Sequence, residues 1–164
     1  MKLDEAIVVL TTGGTIDKVY FDAKSEFAVG DSVVDDLLHE AHVHHPYRLL
    51  EVMRKDSLEM TDDDRAEIVA AVAQCPEAFV VITHGTDTMA LTAEALMSIT
   101  GKTIVLTGSL APARFAKSDA TFNVGMAFAT VQTARPGVYI VMNGQVFAAG
   151  HVRKDTANNV FVRC

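Results

Sequence analysis

A regular alternation of short apolar runs with longer amphipathic stretches is the feature that most constrains how this chain can fold. Runs such as Ala6–Leu10 are rich in β-branched residues and are typical of buried strands. The stretch Thr61–Ala73 has apolar residues behind a threonine cap and three aspartates, which the helix dipole favours in a first turn. Strands that alternate with helices predict an α/β domain with an open, mostly parallel sheet and helices on both faces.

The pattern assigns most of the chain to regular elements. The predicted strands are Ala6–Leu10, Tyr47–Met53, Ala78–Ile82, Thr103–Leu106 and Val138–Met142, and the predicted helices are Asp31–Val43, Thr61–Ala73, Ala90–Met97 and Thr121–Val131. The dipeptide Asn143-Gly144 predicts a tight turn into Val146–Ala149, so a C-terminal β-hairpin is expected. The chain has 164 residues and shows no repeat or linker, which predicts a single domain over residues 1–164.

Composition narrows the class of protein. The chain has 49% apolar and 21% charged residues, which is ordinary for a soluble globular protein, and its formal charge of −7 argues against a nucleic-acid or anionic membrane partner. The acidic start Met1–Glu5 does not fit a signal peptide, and apolar stretches such as Ala78–Thr83 are far shorter than a membrane helix. Cys75 and Cys164 are expected to be free thiols in a reducing compartment, so the cytoplasm is the expected location.

Polar motifs directly follow four of the predicted strands. They are Thr11–Thr15, Asp56–Met60, Thr83–Thr88 and Thr107-Gly108-Ser109. Because ligands bind beyond the carboxyl ends of parallel strands, the four motifs are expected to converge on one site. Any single loop of this kind is polar in most proteins, but four loops rich in hydroxyl groups favour a functional site. His84, within the third motif, is expected to order its loop through hydrogen bonds.

Phosphate and metal sites fit the sequence poorly. Thr12–Thr15 lacks the G-x-G-x-x-G spacing of a dinucleotide site. Gly101-Lys102-Thr103 ends like a phosphate loop, but Leu96 stands where that loop needs a glycine, and a strand follows instead of a helix. His39 and His42 are three residues apart where the zinc-protease motif needs four, and they are expected to lie at a solvated helix end.

The residues that could carry chemistry are threonines at strand ends. Thr15 and Thr86 each follow a glycine, and Asp87 and Lys154 supply charges. A threonine hydroxyl is a weak nucleophile that needs a neighbouring base, and a lysine can act as a base only when its pKa is lowered. Backbone N–H groups in glycine turns can bind a tetrahedral oxyanion. Composition alone does not select this set, because Thr15 also suits an ordinary turn and Lys154 a solvated surface.

Two longer motifs resemble the signatures of the bacterial-type L-asparaginases. They are Thr11–Ile16 and Val81–Met89. Further matches follow in the same order: Asp56–Thr61, Thr107-Gly108-Ser109, Ser118-Asp119 with Phe122-Asn123, Val141–Asn143 and Val152–Lys154. The resemblance extends from the first strand almost to the C-terminus. It implies the fold of the asparaginase N-terminal domain and the hydrolysis of L-asparagine to L-aspartate and ammonia, with glutamine as a poorer substrate.

The resemblance also implies a role for each matching residue. Thr15 would attack the side-chain amide to form an acyl-enzyme, and Tyr20, in the mobile loop that follows, would help to activate it. Thr86, Asp87 and Lys154 would form a second polar unit. The implied substrate-binding residues are Gly14, Asp56, Ser57, Gly85 and Asp87, with Asp87 suited to the α-ammonium and Ser57 to the α-carboxylate. No metal and no organic cofactor is implied.

The chain departs from the pattern of long family members in two ways. It stops soon after their first domain and resembles short members, so the acidic partner that a neighbouring C-terminal domain gives to the tyrosine has no source here. The surface left by that domain predicts an apolar patch and therefore a homo-oligomer. Leu58 replaces a residue that is often polar, which predicts an affinity lower by about one to two orders of magnitude. The loop Phe21–Gly30 is expected to close over the site, with Gly30 as its hinge.

Two alternatives to a complete enzyme stay open. A non-catalytic sensor would bind asparagine or aspartate and release no ammonia. The full set of candidate catalytic residues argues against a sensor, because a binding protein needs neither a nucleophile nor a base. The other alternative is that the chain is a fragment of a longer enzyme.

Overall fold

Strands and helices alternate along the chain, as the periodicity predicts. The computed structural model describes residues 5–164, and the start Met1–Asp4, on which the argument against a signal peptide largely rests, lies outside the described residues. The strands are β1 (Ile7–Gly13), β2 (Lys18–Phe21), β3 (Glu26–Val29), β4 (Tyr47–Lys55), β5 (Phe79–Thr83), β6 (Thr103–Thr107), β7 (Gly137–Met142), β8 (Gln145–Ala148), β9 (Val152–Asp155) and β10 (Val160–Arg163). The helices are α1 (Val34–Glu40), α2 (Asp62–Gln74), α3 (Met89–Leu96) and α4 (Ala120–Thr133).

Six of these strands form the central sheet, in the order β4-β1-β5-β6-β7-β8. The first five are parallel, and β8 runs antiparallel to β7. All seven residues of β1 are buried, which fits a central strand covered on both faces. The chain runs from β1 outward to β4 on one side and to β5 on the other, so the strand order reverses between β1 and β5. Such a switch point is where open α/β sheets bind ligands.

The core has one layer on each face of the sheet. Val8 and Leu10 of β1 pack with apolar residues of α2 and α3, whereas Ile7 and Val9 pack with those of α1 and α4. Successive side chains of a strand point to opposite faces, so an uninterrupted apolar run can supply both layers. This arrangement confirms the predicted open, mostly parallel α/β fold with helices on both faces. None of the helices formed by residues 5–164 is long and apolar enough to cross a membrane.

Helix α1 is shorter than the predicted Asp31–Val43. Before it begins, the N–H of Val33 donates to the Asp17 carboxylate at 3.0 Å, which gives the preceding residues a tertiary role. After it ends, His42 adopts a left-handed conformation with φ 52°. The other predicted helices agree with the structure to within two residues at each end, which is the usual uncertainty of such boundaries.

Residues 5–164 form three hairpins, one within the central sheet and two outside it. The predicted C-terminal hairpin is present as β7–β8, and both residues of its Asn143-Gly144 turn have positive φ, as a two-residue turn of this type requires. The β2–β3 hairpin occupies most of the segment predicted as a loop, and the β9–β10 hairpin extends the C-terminal β-structure. Val160–Arg163 pairs with β9, and Phe161 is buried in the core.

Candidate functional site

Close contacts between glycines bring three strand-end loops together. A Cβ added to Gly14 would lie 2.6 Å from the Cα of Gly85, so the loops after β1 and β5 touch through their backbones. A Cβ on Gly85 would in turn lie 2.6 Å from the hydroxyl oxygen of Ser57, in the loop after β4. Gly14 also has φ 90° and ψ −177°, a conformation that essentially only glycine adopts. The fourth motif joins them, because the N–H of His84 donates to the Thr107 carbonyl at 2.9 Å. The four motifs predicted to converge therefore do so at the switch point of the sheet.

The contact between Gly14 and Gly85 is called the glycine crossing below. Thr15 directly follows Gly14 and begins the single helical turn Thr15–Asp17. Its side chain is partly buried, and within residues 5–164 its hydroxyl makes no hydrogen bond. The hydroxyl of Thr12 donates to the carbonyl of Thr83 at 2.7 Å and ties the end of β1 to the end of β5. Since consecutive Cα atoms are about 3.8 Å apart, Thr15 and Thr86 both lie next to the contact between Gly14 and Gly85. Thr15 thus presents an unengaged hydroxyl at the crossing.

Thr86, Asp87 and Lys154 form one hydrogen-bonded unit. The Lys154 ammonium donates to the Thr86 hydroxyl at 2.8 Å and to the Asp87 carboxylate at 2.8 Å. Thr86 is buried and the Lys154 side chain is 12% exposed, whereas the Asp87 side chain is 32% exposed and keeps part of its carboxylate in water. Lys154 lies on β9 directly opposite Phe161, whose buried ring fixes the β9–β10 hairpin to the core.

His84 fixes the backbone at Gly85 through the two nitrogens of its ring. Its Nδ1 lies 2.6 Å from the Gly85 carbonyl oxygen, and its Nε2 lies 2.8 Å from the Thr92 hydroxyl of α3. Burial lowers the pKa of His84 to about 4, although the bond to Gly85 works in the opposite direction. A neutral ring then donates from Nδ1 to Gly85 and accepts from Thr92. His84 orders its loop, as predicted, and stays uncharged near neutral pH.

Asp56 and Ser57 hold the loop after β4 in place. Ser57 is fully buried, its hydroxyl accepts the N–H of Thr88 at 3.3 Å, and its carbonyl accepts the Thr88 hydroxyl at 2.8 Å. Asp56 accepts the N–H of Leu58 and pairs with Lys18 of β2 at 2.8 Å. Partial burial alone would raise the pKa of Asp56, but these two partners outweigh burial and hold it below the usual value. The Leu58 side chain itself is 72% exposed.

Tyr20, the residue predicted to activate Thr15, packs within the β2–β3 hairpin. It lies on β2, is about half exposed, and packs its ring against Phe27 with 5.2 Å between the ring centroids. Within the described part of the chain, its hydroxyl makes no hydrogen bond, either to Thr15 or to another group. Its contact with the nucleophile therefore stays a prediction.

The histidine-rich segment does not form a metal site in the part of the chain that the structure describes. His39 lies 3.5 Å from Asp35 of its own helix, and His45 lies 2.9 Å from the carbonyl oxygen of Glu5. Among residues 5–164, no group of three or more histidine, cysteine or acidic side chains is arranged to hold a metal ion.

Asp17 and Arg114 lie beside the turn that carries Thr15, and neither was predicted from the sequence to be a site residue. Asp17 is buried and ends the turn that carries Thr15. Burial raises the pKa of Asp17 to about 6, and the N–H of Val33 and the charge of Arg114 only partly offset that effect. Arg114 donates to the Asp17 carbonyl at 3.0 Å from a position 97 residues along the chain. No local sequence pattern signals a contact of that separation.

Comparison with known proteins agrees with this geometry. The chain matches the family described as "Asparaginase, N-terminal" over residues 6–161. It is 30% identical over 158 residues to an L-asparaginase of Thermococcus kodakarensis, covering 90% of this chain and 47% of that protein. An L-asparaginase I structure from Vibrio cholerae matches with a TM-score of 0.84 at 28% identity, covering 97% of this chain and 51% of that one.

A structure described as a "Probable Cytoplasmic L-asparaginase" from Campylobacter jejuni matches with a TM-score of 0.84 at 27% identity, covering 97% of this chain and 53% of that one. The chain spans about half the length of the curated relatives and structures it matches. The match to the family extends over nearly all of the chain, and it includes the loops that meet at Gly14 and Gly85. The chain therefore belongs to the asparaginase family and corresponds to its N-terminal domain.

Proposed function

We propose that this chain hydrolyses L-asparagine to L-aspartate and ammonia, with Thr15 as the nucleophile and glutamine as a poorer substrate. The observation that carries the proposal is the unit in which Lys154 lies 2.8 Å from both Thr86 and Asp87, at the edge of the sheet that also presents Thr15. A free hydroxyl and a buried amine–hydroxyl pair beside one crossing are what amide hydrolysis through an acyl-enzyme requires.

The proposed reaction has two balanced steps. In the first, the Thr15 oxygen bonds to the amide carbon, the carbon–nitrogen bond breaks, and the hydroxyl proton ends on the nitrogen that leaves as ammonia. In the second, a water oxygen bonds to the same carbon, the ester bond breaks, and a water proton returns to Thr15. Thr86 with Lys154 is suited to orient that water, and backbone N–H groups at the glycine crossing are suited to the oxyanion. Tyr20 would have to move from Phe27 towards Thr15 to assist the first step.

The charges of the site suit a small zwitterion. Asp87 uses its Oδ1 for Lys154, whereas its Oδ2 makes no hydrogen bond within residues 5–164 and can accept the substrate α-ammonium. Asp56 is already committed to Lys18 and to the N–H of Leu58, so it is the weaker candidate for that role. Ser57 and the backbone beside it would receive the α-carboxylate. Gly14 and Gly85 contribute by allowing the loops to approach.

The setting of the enzyme is part of the proposal. A cytoplasmic location is supported by the neighbour from Campylobacter jejuni that carries that description. A homo-oligomer is supported by the large exposed apolar side chains Tyr20, Phe27 and Phe115, which contact one another on the β2–β3 hairpin and the loop after β6. No nucleic-acid or membrane partner is proposed. The sensor alternative is less favoured, because the matched family is one of asparaginases.

Ammonia release from L-asparagine by the purified chain tests the proposal. We expect turnover by the wild type, a loss of at least about 1,000-fold for Thr15→Ala, and a loss of about 100-fold or more for Thr86→Ala and Lys154→Met. Thr133→Ala is the matched control, because that hydroxyl is exposed and bonds only within α4. Absence of turnover in the wild type, or full turnover in both site threonine variants, would contradict the proposal. Calorimetric binding of asparagine without ammonia would instead support the sensor.

A further inference from the structure

Arg114, in the loop between β6 and α4, contacts both ends of the β2–β3 hairpin. One guanidinium nitrogen donates to the Asp17 carbonyl at 3.0 Å, just before β2 begins. The other terminal nitrogen donates to the Asp31 carbonyl at 3.0 Å, just after β3 ends. The N–H of Gly30 also donates to the Asp17 carbonyl at 2.9 Å, so the two ends are joined to each other as well. One side chain thus spans the base of the hairpin.

Asp17 also holds the base of the hairpin through its side chain, since its carboxylate accepts a hydrogen bond of its own. Its Oδ1 accepts the N–H of Val33, the residue that caps α1, at 3.0 Å. The groups that face the carboxylate are the Ser32 hydroxyl from the loop before α1, the Arg114 guanidinium from the loop after β6, and the Glu51 carboxylate from β4. Only one of these charges is positive, and Asp17 is 1% exposed. The carboxylate is therefore held by hydrogen bonds in a setting that disfavours its charge.

The neighbours of Arg114 hold the same region. The N–H of Ala113 donates to the Ile16 carbonyl at 3.1 Å, within the turn that begins at Thr15. The ring of Phe115 packs edge-on against Phe27 of β3, with 5.8 Å between the centroids. Three consecutive residues of one loop therefore contact the turn, the base and the side of the hairpin. A loop that only connected β6 to α4 would have no need of this series of contacts.

We propose that Asp17 and Arg114 form a clamp that fixes both ends of the β2–β3 hairpin and thereby positions the turn that carries Thr15. Both are positioning residues, since they act through the backbone of that turn. The effect on turnover rests on the proposed function, whereas the effect on the hairpin does not. Opening of the clamp would free Tyr20 and break the contact between Lys18 and Asp56 together, because Tyr20 and Lys18 both lie on β2.

The clamp is expected to respond to pH, and the sign follows from burial. The pKa of Asp17 is about 6 in the closed clamp, against an ordinary value of 3.8 when the carboxyl is exposed. A raised pKa means that the closed state gains from protonation, so closure is strongest below about pH 4 and weakens as the pH rises through 6. Between pH 8 and pH 5 the ratio of closed to open states should rise about tenfold.

Amide hydrogen exchange at Gly30 and Val33 measures opening of the clamp directly, because these two N–H groups donate to Asp17. We expect protection of both amides, corrected for intrinsic exchange, to rise about tenfold from pH 8 to pH 5 in the wild type. Asp17→Asn keeps an acceptor and removes the titration, so its protection should not depend on pH. Arg114→Gln should lower protection about tenfold at either pH. The matched controls are Asp22→Asn and Lys117→Gln, both exposed changes that should behave as the wild type.

The outcome separates the clamp from the enzyme activity. If Arg114→Gln exchanges as slowly as Lys117→Gln, or if Asp17→Asn keeps the pH dependence of the wild type, the clamp is wrong whatever the turnover. If exchange behaves as expected and the wild type releases no ammonia, the clamp stands and the proposed function fails. If both hold, Arg114→Gln should lower kcat more than it raises KM, since a misplaced Thr15 slows the chemical step. Arg114→Gln and Lys117→Gln should have equal unfolding free energies, and that result would exclude a general loss of structure as the cause of faster exchange.

Discussion

Replacing Gly14 with alanine tests how closely the loop after β1 approaches the loop after β5. Two costs add. The backbone at Gly14, with φ 90° and ψ −177°, strains an L-residue by about 1–3 kcal/mol. The new methyl group would lie 2.6 Å from the Cα of Gly85, and since it meets backbone that cannot rotate away, overpacking adds about 1–3 kcal/mol. The variant should therefore lose about 2–6 kcal/mol of unfolding free energy.

Two other glycines separate these costs. Gly101 has φ 78° and no atom near the position of an added Cβ, so Gly101→Ala shows backbone strain alone and should cost about 1 kcal/mol. Gly125 lies exposed within α4 with open space beside it, so Gly125→Ala should stabilise the chain by about 0.5–1 kcal/mol. The three variants thus form a series in unfolding free energy: Gly125→Ala raises it, Gly101→Ala lowers it through backbone strain, and Gly14→Ala lowers it further through strain and a steric clash.

Urea unfolding followed by far-UV circular dichroism measures the series, because the chain has no tryptophan for fluorescence. If Gly14→Ala lies within about 0.5 kcal/mol of Gly101→Ala, the close approach of the two loops is wrong, and the argument that places Thr15 beside Thr86 loses its basis. If Gly14→Ala folds with the expected loss, its ammonia release should also fall, since the methyl group separates the loops that hold the two threonines.

Two further predictions concern pH and substrate affinity. The pKa of His84 is lowered from 6.5 to about 4, so its stabilising contribution is present above pH 6.5 and is lost as the pH falls through 4. His84→Gln should therefore gain about 3 kcal/mol relative to the wild type between pH 7 and pH 4, and urea titrations in which the two free energies stay parallel would contradict this. Leu58→Gln should lower KM for asparagine about tenfold, because it adds a polar partner for the substrate. Leu58 is 72% exposed, so unfolding free energy should change by less than about 0.5 kcal/mol, and an unchanged KM would refute the predicted loosening.

The central sheet could be predicted from sequence because its inner strands β1, β5 and β6 are buried on both faces. β1 and β5 consist of apolar runs that no other element explains, and the rule that parallel strands present their carboxyl ends at one edge then brings Thr15 and Thr86 together. The hydroxyl-rich motifs could be located without knowing any distance. What the sequence could not supply was the glycine contact, since two glycines in separate loops give no sign that their backbones touch.

The two small hairpins escaped prediction for a different reason. β2 has two partly buried residues followed by two exposed ones, so it lacks the alternation that reveals a half-buried strand. Its turn uses Ser25 at φ 50°, and the turn between β9 and β10 uses Asn159 at φ 52°, so neither has the glycine that usually marks such turns. Both hairpins are therefore identified only from the structure, as is the contact of Arg114 with the residue 97 positions before it.

Lys154 shows how the chemistry depends on an element outside the main sheet. β9 pairs only with β10 among the described strands, so the sheet itself does not fix the position of the amine. The hairpin is fixed instead by Phe161, whose ring is 1% exposed in the core and whose N–H donates to the Asn143 side chain at 2.8 Å. Asn143 belongs to the turn that follows β7, the fifth parallel strand. The amine that reaches Thr86 is therefore positioned through the far side of the sheet, whereas Thr15 is positioned by its centre, and the site exists only where both routes are intact.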